Sequence, residues 1–222
     1  MTAIARMTVL HLRTAMPYRN QILLAFVAVV VIMANRPTVL VPALALLVVP
    51  SIAGYPFLAA DKAGLDTLYA VLPAPRRAVL LGYYAWALAG FLVTAAVGTA
   101  FTLVYTRFES TALTGHTILL DLSLAWAMFA VNIAIQFPLL IRYGYSRISV
   151  WGTTLPIALA VMAVVRLHVS LASLQDRAAL LIPMGIAVFA ASAALAPVFA
   201  GHRRMRAPAG TPPAGTVAPA GR

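Results

Sequence analysis

Six long apolar runs constrain this chain more than any other feature. They lie at Asn20–Ala34, Thr38–Ala60, Ala78–Tyr105, Thr117–Ile141, Ile148–Val165 and Ala179–Ala200. A helix needs about 20 mostly apolar residues to cross a bilayer, and fewer where flanking side chains snorkel. The first run is short and borrows residues from Met16 to Arg19. Charged residues make up only 9% of the chain and hydrophobic ones 63%, whereas a soluble domain carries about a quarter charged residues. So few charges cannot cover a water-facing surface. The expected fold is therefore all-α, a polytopic membrane protein of six transmembrane helices. The first run follows Arg6, Arg13 and Arg19 as a signal peptide would, but no small-residue cleavage pattern follows it, and five more runs do.

Orientation follows from the basic residues. With the N-terminus in the cytoplasm, twelve of the sixteen lie inside, and only Arg36, Arg107, Arg166 and Arg177 lie outside. That is the positive-inside pattern. It places both termini in the cytoplasm and the protein, multi-pass, in the cell membrane. It also explains the net charge of +11 without nucleic acid. Three regions result. Residues 1–19 mix Ile4, Met7, Val9, Leu10, Leu12 and Met16 with Arg6, His11 and Arg13, as an amphipathic helix on the inner membrane surface does. Residues 20–200 form the transmembrane domain. Residues 201–222 form a cytoplasmic tail, Pro/Gly/Ala-rich from Ala207 and expected to be disordered.

The residues exclude several chemistries. There is no cysteine, so no disulfide, thiol catalysis or Cys-ligated metal. There is no G-x-x-x-x-G-K-[ST], H-E-x-x-H or G-x-S-x-G. No catalytic, cofactor-binding or metal site is expected. His11, His116, His168 and His202 are scattered and read as interfacial, since a metal site needs converging ligands.

One charged stretch, "AADKAGLDTLYAVLPAPRRAVLLGYY", interrupts the apolar pattern between the second and third runs. The spacing predicts a short cytoplasmic helix over about 61–73. Leu65, Leu68, Tyr69 and Leu72 share one face. Asp61 suits the positive end of that helix, and Lys62, Asp66 and Thr67 lie off the apolar stripe. Pro73 and Pro75 stop the helix, and Arg76 and Arg77 open the next span. By residues alone, such an element is an interfacial cap or a handle for a soluble partner.

The stretch resembles a segment of the permease subunits of type-2 ATP-binding-cassette exporters. The shared pattern is Asp61-Lys62, Gly64, Asp66, Leu68, Leu72-Pro73, Arg76 and Arg77. Asp61 stands where Glu is commoner. The six-span layout and the basic amphipathic N-terminus are also similar. The resemblance implies that 61–73 is a coupling helix docking on an ATPase, with Leu65 and Thr67 within it. It implies two ATPase subunits and a second permease, of the same or a different chain. ATP and Mg would be held by the ATPase and hydrolysed there, with no cofactor bound directly by this chain. It also implies a short outer helix near Arg166–Arg177.

Two further patterns stand out. Asp121, Ala125, Met128, Asn132 and Gln136 follow one face of the fourth span. They either line a substrate path or, for Asn132 and Gln136, bond to neighbouring helices. Gly90, Thr94, Gly98 and Thr102 place a small residue at every fourth position of the third span. That suits close helix packing or a dimer seam. The function expected is that of a permease subunit exporting an amphipathic or hydrophobic cargo, such as a drug, lipid-like molecule or peptide. The alternatives are an ion-coupled secondary transporter and a non-transporting membrane anchor.

Overall fold

A computed structural model describes residues 3–33, 37–63, 75–108, 114–148 and 178–204, and the single positions 154 and 158. Every long element among them is a helix. They are α1 (Ala3–Ala15), α2 (Arg19–Met33), α3 (Pro37–Ala63), α4 (Arg76–Phe108), α5 (Gly115–Tyr143) and α6 (Ala178–Arg204). A 3-10 turn at Met16–Tyr18 divides α1 from α2. Pro17 sits in it, where a ring without an N–H ends one helix and opens the next. Five stretches among the described residues are long and apolar enough to cross a membrane: Met7–Met33, Val39–Lys62, Arg77–Phe108, Gly115–Tyr143 and Leu180–Ala200. They coincide with five of the six predicted spans. The fifth predicted span (148–165), the outer element at 166–177 and the tail from 207 lie outside the described residues, apart from 148, 154 and 158.

The bundle is built around α3. About 72% of its spanning window is buried, against 6% for Met7–Met33 and 17% for Leu180–Ala200. α2 packs on α3, and α4 and α5 flank it, while α6 lies mainly along α5. The exposed Leu23, Leu24, Val27, Val31, Leu92, Val93 and Leu180 then form the apolar outer wall that lipid requires.

Aromatic rings connect the helices through the core. Phe57 of α3 stacks on Tyr83 of α4 at 4.1 Å and meets Phe137 of α5 edge-on at 5.3 Å. Tyr84 meets Phe137 at 4.8 Å, and Phe129 stacks on Phe91 at 4.6 Å and on Phe189 of α6 at 5.7 Å. Such pairs add about 0.5–1.5 kcal/mol each beyond their burial. The chain of rings reaches α1, because His11 stacks on Tyr83 at 4.2 Å. His11 is thus buried, with 1% of its surface exposed, and not interfacial as its sequence context suggested. α1 presses close to α4 at this point. A Cβ on Gly82 would lie 2.9 Å from Met7 Cβ.

The small-residue stripe of α4 faces α3 within the same chain. Thr94 and Thr102 are buried. A Cβ on Gly98 would lie 2.9 Å from Leu44 Cδ1, and one on Gly90 would lie 3.5 Å from Ile52 Cγ2. The stripe therefore seats α4 on the central helix. Gly90→Ala is expected to leave thermal stability within about 0.5 kcal/mol of wild type. Gly98→Leu should cost about 1–3 kcal/mol by overpacking. Thermal unfolding in detergent would check both, and equal behaviour of the two variants would contradict this packing.

Candidate functional site

The side chains with chemical reach gather at two places. One is the helix end that carries Lys62, Arg77 and Arg142. The other is the interior contact of α3 with α4 and α5.

At the basic end, α3 continues through Asp61 and Lys62 to Ala63. Asp61 therefore closes the second span, where the periodicity had it open a separate helix. Its carboxylate Oδ2 accepts a hydrogen bond from the Ser146 backbone N–H at 2.7 Å. Ser146 lies in the short helical turn 145–148 that follows α5. A carboxylate there satisfies an N–H that the first helical turn leaves without an internal partner. The turn is set up by Gly144, at φ 81°, whose N–H donates to the Leu140 carbonyl at 2.9 Å. A residue with a Cβ is strained at that φ. Lys62, Arg77, Arg142 and Arg147 are exposed around this end. Burial first, and then the neighbouring Tyr18, raise the Tyr145 phenol above its usual pKa, so it stays neutral. Gly64, Leu65, Asp66, Thr67, Leu68, Leu72 and Pro73 lie outside the described residues, as does the side chain of Arg76.

In the interior, the three prolines of α3 dictate the contacts. Pro has no N–H, so Pro42, Pro50 and Pro56 leave the carbonyls of Thr38, Leu46 and Ile52 without their usual i+4 donor. An unpaired carbonyl in a bilayer is costly, and neighbouring helices supply the donors. The Trp86 indole Nε1–H of α4 donates to Ile52 O at 3.2 Å. The Asn132 amide Nδ2 of α5 donates to Leu46 O at 3.5 Å, a long and weak bond. One turn on, Gln136 Nε2 donates to Pro50 O at 3.2 Å. Asn132 and Gln136 thus clamp α5 to the proline-weakened part of α3, both essentially fully buried. Asp121 lies apart from them in a small cavity with Thr99 and Thr102, and Met128 is half-buried. The four polar or polarisable residues of this stripe are not brought to one surface.

The family model described as ABC-2 family transporter protein matches residues 11–197. The chain belongs to the ABC-2 transporter family. No curated protein and no solved structure matches it. As an ABC-2 transporter protein it is a multi-pass membrane component of a transport system. Among the described residues, no group of His, Cys, Asp and Glu is arranged to hold a metal. Trp86 and Trp126 are further donors that no sequence motif marks. Trp126 Nε1 donates to Ile182 O of α6 at 3.1 Å. The signal available for Trp86 was the proline count of the second span, since each freed carbonyl calls for an outside donor.

Proposed function

We propose that this ABC-2 transporter protein is the permease subunit of an ATP-driven exporter, with 61–77 as the segment that receives force from a separate ATPase. The family match with the charged interruption between two spans carries this reading. The segment leaves directly from α3, the buried hub, and re-enters as α4. Asp61 is tied to the turn after α5. A displacement of the segment therefore acts on three helices together. ATP would close two ATPases, two permeases would move with them, and the path between the permeases would open outward. Apolar walls with few fixed charges suit an amphipathic or hydrophobic cargo. Both termini lie in the cytoplasm under this arrangement, and the second permease is another copy or a related chain.

A tagged chain purified gently from native membranes tests this. A co-purifying protein carrying G-x-x-x-x-G-K-[ST], lost on Asp66→Arg while the variant stays folded, is the expected result. Absence of any such ATPase, under conditions that preserve a known ATPase–permease complex, would overturn the reading.

A further inference from the structure

We propose that the cavity between the first half of α3, the last turns of α4 and the first turns of α5 binds a small monovalent cation. The cavity holds about 10 Å³ and is lined by Val41, Thr99, Thr102, Leu103, Ile118 and Asp121. That is close to the least volume that admits one water-sized guest.

Its polar lining is one carboxylate and two hydroxyls. Asp121 contributes the only carboxylate inside a predicted span. Among the described residues it has no charged partner. The Thr99 hydroxyl oxygen is buried and makes no hydrogen bond. The Thr102 hydroxyl, also on the lining, donates its proton to Gly98 O at 3.0 Å. A carboxylate beside Val41, Leu103 and Ile118 is costly unless it takes up a proton or a positive charge compensates it. One carboxylate and two hydroxyls match a single positive charge. A divalent ion draws more oxygen ligands and more charge than this. The guest is therefore a sodium-like ion or an ammonium group, which share a single positive charge. The site does not depend on the ATPase reading, since its three helices belong to one chain.

The full-length protein in neutral-lipid nanodiscs would be unfolded thermally in sodium, ammonium or choline chloride at equal ionic strength. Direct binding of radioactive sodium would be measured alongside. Stabilisation by sodium or ammonium over choline is expected, since choline is too large to enter. Asp121→Asn should abolish the difference while unfolding in choline no earlier than wild type. Thr99→Val should weaken sodium binding roughly tenfold. Equal wild-type stability in all three salts, or a sodium effect that survives Asp121→Asn, would overturn the proposal.

Discussion

Replacing Trp86 with Phe is expected to destabilise the protein by about 1–3 kcal/mol, and replacing Pro56 with Ala in that variant should recover much of the loss. The argument is specific to this pair. Pro56 removes the N–H that would pair with Ile52 O, and the Trp86 indole supplies one at 3.2 Å. Phe keeps most of the ring and removes the donor, leaving a buried carbonyl unsatisfied. Ala at position 56 restores the helix's own donor. A four-variant thermal cycle in detergent should therefore show a coupling of about 1 kcal/mol or more. Additive losses, within about 0.5 kcal/mol, would mean that Trp86 contributes packing alone. The same cycle on Asn132→Leu and Pro50→Ala should give a smaller coupling, because that bond is 3.5 Å long.

Gly185→Ala is the second large effect. A Cβ there would lie 2.5 Å from Trp126 Nε1 and 2.7 Å from its Cδ1. No side chain tolerates that approach, so Trp126 must swing away. Its bond to Ile182 O, at 3.1 Å, is then lost. Overpacking costs about 1–3 kcal/mol, and the lost bond about 1 kcal/mol more. α6 leans mainly on α5, so the variant should release α6 first. Proteolysis near residues 178–204 should accelerate, and the melting temperature should fall by on the order of 5 °C or more. Gly115→Ala, which has nothing within 4 Å of the added Cβ, should melt like wild type. A normal melting temperature for Gly185→Ala would contradict the close contact of these helices.

The spans themselves were readable because hydropathy alone decides them. α4, α5 and α6 overrun their predicted limits by only one to four residues at each end. The rank of α3 was not readable. A helix apolar on all sides looks the same whether lipid or protein surrounds it. Asn132 and Gln136 announced themselves as a polar pair one turn apart. Their partners, Leu46 and Pro50, lie 86 residues away in each case and carry no side-chain signal, because the acceptors are backbone. Asp61 shows the reverse difficulty. Its sequence neighbours suited a helix start, but a carboxylate can also serve a distant N–H, and Ser146 is the one it reaches. The proline-terminated periodicity at 61–73 told where a helix would end and gave no account of what the last turn of α3 would bind.

The prolines of α3 also set a timetable for the chain during synthesis. The Ile52 carbonyl waits for a donor 34 residues downstream, and the Leu46 carbonyl for one 86 residues downstream. At about 5–20 residues per second, those intervals last roughly 2–7 s and 4–17 s. Through them the second span stands in or beside the insertion channel with gaps in its own ladder. Water or the insertion machinery must serve those carbonyls until α4, and then α5, arrive. Any slowing of translation between residues 86 and 132 would lengthen the more exposed of the two intervals.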